Sequence, residues 1–261
     1  MGKERLKQVF SKPKDRLSIY LTAGYPKLEA MPQLAKILTD ESVDFIEAGM
    51  PYSDPLADGK TIQESSSLAL KNGMNLDLYF KQIKAIREFS NIPILFMGYF
   101  NQVLKRGIKN FLQDCTDAGI DGLIIPDLSP EIYKNKYQTI FNKYDLSFSF
   151  LVTPTTSDKR IAMIDNLSSG FIYAVSTSAT TGKTDAFGDE QIQYFKRLQD
   201  LNLKNPIVIG FGIDNREKFL MANHYADGAI IGSAFIKAIG KQEDYLSVGK
   251  QFVKNIIDKS Y

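Results

Sequence analysis

Eight short apolar runs punctuate the chain: LSIYL (17–21), VDFIEA (43–48), IPILFM (92–97), GLIIP (122–126), LSFSFLV (146–152), GFIYAV (170–175), PIVIG (206–210) and GAIIG (228–232). Most are continuous rather than strictly alternating, the pattern of parallel strands covered on both faces. Between them, apolar residues recur at i, i+3 and i+4, as in Leu34/Ile37/Leu38, Tyr79/Phe80/Ile83/Ile86, Tyr133/Tyr137/Ile140 and Tyr245/Val248/Phe252/Ile256. Such stripes predict helices packed on a sheet. Eight strand–helix units in 261 residues predict an α/β fold, a (β/α)8 TIM barrel, with an open doubly wound sheet as the alternative. No low-complexity stretch or Pro/Gly/Ser linker divides the chain, so residues 1–261 read as one domain, with 1–15 as an N-terminal helical extension.

Two connections are long, those after the second and the sixth runs. In a parallel barrel the loops leaving the C-terminal ends of the strands build the active site, so the surplus length marks where function is to be sought. The later of the two, STSATTGKTDAFGDEQ, is rich in Ser, Thr and Gly and reads as a mobile lid over 176–190. Its GKT resembles the end of a P-loop, but Thr177 stands where the first glycine of that motif is required, which excludes nucleoside triphosphate binding by this route.

Composition narrows the chemistry. One Cys and one His form neither a disulfide nor a tetrahedral zinc site nor an iron–sulfur cluster. The lone His224 lies at the end of a helical stretch, where a helix-terminal imidazole is the simpler reading than a catalytic base. Acid–base work therefore falls to carboxylates and tyrosines. The 32 Lys+Arg against 30 Asp+Glu, without long single-sign runs, provide no stripe for nucleic acid and point to a small-molecule ligand. No apolar run approaches the ~18 residues that span a bilayer, and the N-terminus lacks a signal-peptide pattern, so a cytoplasmic protein is expected.

Within VDFIEAGMPYSDPLADGKTIQES, Glu47 shares the face of Phe45 by strand alternation and is expected to point into the barrel or its mouth. A carboxylate there is either a buried ion-pair partner or a reacting group. Asp54 and Asp58 follow on the loop; each alone is ordinary turn chemistry, but together the three gather at the expected catalytic rim. Their spacing matches no EF-hand pattern. The seventh run ends in Gly210-Phe211-Gly212 and the eighth in Gly232-Ser233, each just before a helical segment. Barrels often bind phosphate on the backbone amides of those two turns, and glycine admits the anion closely. Gly182 of the lid could close over the same anion.

Taken in order along almost the whole chain, LTAGYP, EAGMPYSDPLADGKTIQ, MGYFN, GLIIPDLS, TPTTSDKRI, TTG, GFGI and GAIIGSA resemble the alpha subunit of tryptophan synthase. The resemblance implies a carbon–carbon lyase acting late in tryptophan biosynthesis: the reversible retro-aldol cleavage of indole-3-glycerol phosphate to indole and glyceraldehyde 3-phosphate. It places the catalytic carboxylates on Glu47 and Asp58. The phosphate falls on Gly182, Gly212, Gly232 and Ser233. Tyr173 lies beside the glycerol moiety, the indole packs among Tyr20, Tyr99, Ile124 and Phe211, and Thr181 meets the loop aspartate on closure. It also implies a partner, the pyridoxal-phosphate-dependent beta subunit, in an αββα assembly to which indole passes directly, with no cofactor in this chain. An enzyme made when tryptophan is scarce would benefit from containing none, and the chain has no Trp.

Two departures stand out. Lys60 follows the catalytic Asp-Gly where the family usually has Pro, and Asp127-Leu128-Ser129-Pro130 shifts the family's proline by one position on a loop that the family turns toward its partner, along with the loop carrying Asp54 and the stretch around Asn101. Two other readings compete: another phosphate-binding barrel, such as an indole-glycerol-phosphate synthase or a phosphoribosyl isomerase, and a non-catalytic regulatory subunit. A synthase of that kind is expected to carry a strand lysine, which none of the eight runs has, and retention of Glu47 and Asp58 argues against a purely regulatory role.

Overall fold

The computed structural model describes residues 2–11, 15–176, 187–240 and 243–257. Every apolar run becomes parallel strand: β1 (Leu17–Thr22), β2 (Phe45–Gly49), β3 (Ile94–Met97), β4 (Gly122–Ile124), β5 (Ser147–Phe148), β6 (Leu151–Val152), β7 (Ile172–Val175), β8 (Ile207–Gly210) and β9 (Gly228–Ile231). Nine strands arise from eight runs because the fifth divides at Ser149 and Phe150. The sheet order is β5-β4-β3-β2-β1-β9-β8-β7-β6, so residues 147–152 supply both of its ends. Ser149 N–H donates to the Leu123 carbonyl at 3.0 Å on one edge, and the Phe150 carbonyl accepts Tyr173 N–H at 2.9 Å on the other. One segment thereby joins β4 to β7 and closes the barrel.

Alternation along the strands sorts the two faces. Phe45, Leu95, Ile124, Phe171, Tyr173, Val208 and Ile230 form an inner cluster, whereas Ile46, Phe96, Leu123 and Ile209 belong to the larger core under the outer helices. The inner cluster is completed from below by Leu6 and Val9 of the helix Gly2–Phe10. Gly2 abuts the Ile120 and Asp145 carbonyls, just ahead of β4 and β5, so this helix plugs the N-terminal end of the barrel. The plug is pinned by charge as well as by apolar burial. Arg5 donates to Asp121 at 2.6 Å, and Arg16 donates to the Val9 and Asp227 carbonyls at 2.8 and 2.7 Å.

A reciprocal bond recurs at this end of the barrel. Leu17 N–H donates to the Asp44 carboxylate (2.9 Å) while Asp44 N–H donates back to the Leu17 carbonyl (2.9 Å). Ile94 with Asp121, Phe148 with Ser169 and Ile207 with Asp227 repeat the exchange. Each clamp ties a strand residue to the segment that leads into another strand and supplies a side-chain acceptor to an N–H that the ladder leaves over. The Tyr133/Tyr137/Ile140 stripe is helical as expected, but residues Tyr133–Tyr137 make a π turn between two short α-helical pieces. Tyr133 is buried there, its ring 4.6 Å from that of Phe148. Ser129 caps this element by accepting Ile132 N–H at 3.2 Å, and Pro130 occupies the first helical position, where its missing N–H costs nothing. No helix among the described residues is long and apolar enough to cross a membrane.

Candidate active site

The alternation of β2 delivers Glu47 to the inner face. It is register partner of Tyr20 on β1 and of Leu95 on β3, and it is fully buried. Among the described residues neither carboxylate oxygen has a hydrogen-bond partner. With no cation or donor to favour its anion, burial pushes this carboxyl up to about 8. At neutral pH Glu47 keeps its proton and is not a structural ion-pair partner within the described residues.

Asp58 reaches the same space from the loop after β2. The Tyr99 hydroxyl accepts Ala57 N–H at 3.0 Å and also hydrogen-bonds the Asp58 carboxylate. The Tyr99 ring stacks on Tyr52, centroids 5.0 Å apart, and Asn101 donates to the Tyr52 hydroxyl at 2.9 Å. From the far side of the loop, Gln63 donates to the Asp58 carbonyl at 2.7 Å. Burial raises the Asp58 carboxyl, and the Tyr99 bond works against that rise. Desolvation pushes Tyr99 itself up to about 12, so its hydroxyl stays protonated and available as a donor. Asp54 lies exposed on the same loop, accepting from Ser53 at 2.5 Å.

A cavity of about 450 Å³ opens at this mouth, and Tyr20, Glu47, Asp58, Tyr173 and Phe211 stand in its wall together with Gly212, Gly232 and Ser233. The turn after β8 is unusual in its backbone: Phe211 and Gly212 have φ of 71° and 73°, the left-handed region. Gly210, just before it, leaves room for Tyr173, because a β-carbon at Gly210 would lie 2.4 Å from the Tyr173 hydroxyl. Gly232 caps the helix Ser233–Ile239 and completes the opposite wall.

Other expected residues lie elsewhere. Ile124, fully buried, belongs to the inner core cluster, while its register partner Met97 reaches the cavity. Tyr99 is not in the wall; it holds the loop that is. Thr181, Gly182 and most of the 176–190 stretch lie outside the described residues. His224 sits exposed in the last turn of the helix Arg216–Tyr225, its ring 4.8 Å from that of Tyr225.

The cavity wall also includes Thr61, Ile62, Met97, Ile213, Ile230 and Lys237, which sequence reasoning did not single out. Lys237 follows Ser233 by one helical turn and Ile230 is two positions before Gly232, so periodicity carried a signal for both. Thr61 and Ile62 carried none, since only the docking of the helix Lys60–Lys71 brings them there. Lys60 lines the mouth as the first residue of that helix, its side chain 90% exposed and 3.9 Å from Glu64.

A parallel barrel with a strand carboxyl and a loop carboxylate in the wall of one cavity, beside two glycine turns, has the layout of a (β/α)8-barrel enzyme. Comparison with known proteins specifies it further. Residues 6–258 match the family described as tryptophan synthase alpha chain, and this chain belongs to that family. It is 51% identical to the tryptophan synthase alpha chain of Christiangramia forsetii over 97% of this chain and 98% of that one, and 50% identical to its counterpart in Flavobacterium psychrophilum, over 97% and 99%. Among solved structures, a chain from a study of mutual activation in the tryptophan synthase α2β2 complex of Pyrococcus furiosus superposes with a TM-score of 0.88 at 34% identity, over 93% of this chain and 98% of that chain.

Proposed function

We propose that this chain cleaves indole-3-glycerol phosphate to indole and glyceraldehyde 3-phosphate, with Glu47 as the acid and base and Asp58 as the electrostatic partner of the ring nitrogen. The observation that carries the reading is the Glu47 carboxyl, buried in the cavity wall and without a hydrogen-bond partner among the described residues. Cleavage needs a proton delivered to indole C3 and one withdrawn from the hydroxyl on the adjacent carbon. Protonation at C3 leaves a cationic ring. Loss of the hydroxyl proton forms the aldehyde C=O, and the electron pair of the breaking carbon–carbon bond returns to the ring. A carboxyl that starts protonated can give the first proton, accept the second, and end as it began. Asp58 would accept a hydrogen bond from the indole N–H and stabilise the cation, an interaction strongest in the transition state.

The wall composition supports the assignment of the rest. Tyr20 and Phe211 would hold the indole together with Met97 and Ile230, with Tyr99 and Ile124 supporting it from behind, and Tyr173 would meet the glycerol hydroxyls. Gly212, Gly232 and Ser233 would cradle the phosphate through backbone amides, joined by Gly182, with Thr181 meeting Asp58 on closure. A barrel that uses a strand lysine is disfavoured, because among the described residues the lysines at the cavity, Lys60 and Lys237, both stand on helices.

The partner is the tryptophan synthase beta subunit, in an αββα assembly. Leu56 at 93% exposure, Leu104 at 48% and Ile132 at 46% project from the three segments that the family turns toward it, and aliphatic side chains so placed suit a protein surface better than water. This chain would need no cofactor of its own, pyridoxal phosphate belonging to the beta subunit, and would work in the cytoplasm. Assay of the purified chain, alone and with a beta subunit, for release of glyceraldehyde 3-phosphate tests the reading. Release by the wild type and its loss in Glu47→Gln are expected; equal release by both would remove Glu47 from the chemistry.

A further inference from the structure

Behind the cavity wall, at the end of β7, Ser176 is 1% exposed, and both of its donors reach the turn after β8. Its N–H extends the ladder to the Gly210 carbonyl at 3.2 Å. Its hydroxyl lies 2.6 Å from the Phe211 carbonyl and 3.2 Å from that of Gly210. A hydroxyl has one proton to donate, and the shorter contact takes it.

The residue so held is the one whose backbone most needs holding. Phe211 carries a β-carbon at φ 71°, where that atom crowds the neighbouring carbonyl, and Gly212 follows at φ 73°. Left to itself, Phe211 would relax to negative φ and rotate the Phe211–Gly212 peptide. That peptide is planar and trans, so its C=O and N–H point to opposite sides. Fixing the carbonyl on Ser176 therefore turns the Gly212 N–H away from Ser176, which is not in the cavity wall, while Gly212 is.

We propose that Ser176 is a positioning residue that locks the left-handed Phe211 turn and thereby aims the Gly212 amide at the substrate's phosphate. The inference rests on the assignment of the phosphate to Gly212 above. Ser176 touches no reacting atom, so its effect falls on binding of the phosphate end and spares the chemical step at Glu47.

The test uses the full chain with its beta subunit. The readouts are kcat and KM for indole-3-glycerol phosphate, and the calorimetric affinity for glycerol 3-phosphate, which carries the phosphate without the indole. Ser176→Ala is expected to raise KM and weaken glycerol 3-phosphate binding about tenfold, the loss of one buried hydrogen bond, with kcat changed less than about twofold. A second pair separates positioning from general loosening. In Phe211→Gly the left-handed turn is unstrained and needs no lock, so adding Ser176→Ala there changes glycerol 3-phosphate affinity by less than about twofold. A wild-type-like KM in Ser176→Ala overturns the proposal, as does an equal loss in both backgrounds. If the wild type binds no glycerol 3-phosphate, the phosphate assignment itself fails and this inference falls with it.

Discussion

The Tyr99 hydroxyl accepts the N–H of Ala57 at 3.0 Å, one residue before Asp58, and the same hydroxyl hydrogen-bonds the Asp58 carboxylate. One phenol on the connection after β3 thus fixes the position of a carboxylate on the connection after β2. Two loops without a shared strand become one unit at the mouth of the barrel.

Tyr99→Phe separates that unit while keeping the stacked ring. Ala57 is exposed, so water replaces its lost acceptor and the melting temperature should fall by little. Asp58, no longer held, should act less effectively on the ring nitrogen, lowering kcat about tenfold, equivalent to ~1.4 kcal/mol of lost positioning. Steady-state kinetics beside a thermal melt decide it: an unchanged kcat would mean that Asp58 finds its place without Tyr99.

Glu47 makes stability depend on pH in a defined direction. Its carboxyl titrates near 8 in the folded chain against an ordinary value of 4.5 when unfolded. Below pH 4.5 the group is neutral in both states. Between 4.5 and 8 the unfolded chain ionises while the folded chain keeps its proton, so this contribution to stability falls as pH rises and levels off above 8. Glu47→Gln removes the penalty. Its advantage over wild type should grow by about 1.4 kcal/mol per pH unit across that window, reaching several kcal/mol at the alkaline end. Urea unfolding of both proteins from pH 5 to 9 checks the slope, and a constant difference would show that Glu47 is not held neutral.

Asp121 is the structural counterpart at the opposite end of the barrel. Fully buried, it accepts from Arg5 and Arg87 at 2.6 Å each and from Ile94 N–H at 2.7 Å. Burial raises its carboxyl despite the two cations and drives Arg87 down to about 10, so the pairing only offsets a large desolvation cost. Asp121→Ala leaves Arg5 and Arg87 with carbonyl acceptors but no counter-charge, and the Ile94 N–H without its acceptor, and should cost about 3–5 kcal/mol in denaturant unfolding. The KM of the folded fraction should be untouched; a loss below about 1 kcal/mol would show that water replaces the carboxylate.

Gly210→Ala probes the packing of Tyr173. The new β-carbon would lie 2.4 to 2.6 Å from the hydroxyl and two ring atoms of that side chain, which must leave its place in the cavity wall. A stability cost of about 1–3 kcal/mol, the usual range for overpacking, and at least tenfold lower kcat/KM are expected. On a Tyr173→Ala background, itself destabilised by loss of a buried ring, Gly210→Ala should cost less than about 0.5 kcal/mol more, because the side chain it strikes is gone. If the two costs simply add, the clash lies elsewhere.

The eight strand segments, their parallel arrangement and the inward face of Glu47 were legible in the sequence, because continuous apolar runs and the alternate pointing of side chains along a strand are local properties that each strand satisfies on its own. The sequence also marked the loop carboxylate Asp58 and the glycine turns at Gly212 and Gly232. The division of the fifth run, the plugging of the barrel floor by residues 2–10 and the recruitment of Thr61, Ile62 and Met97 to the cavity were decided only by the tertiary structure. So was the role of Tyr99, which the family resemblance placed in the indole pocket and which packing makes the anchor of a loop. Closure of the barrel brings together groups far apart along the chain. A carboxyl's protonation, a turn's left-handed backbone and a serine's choice of acceptor depend on what surrounds them, and that surrounding exists only once the barrel has closed.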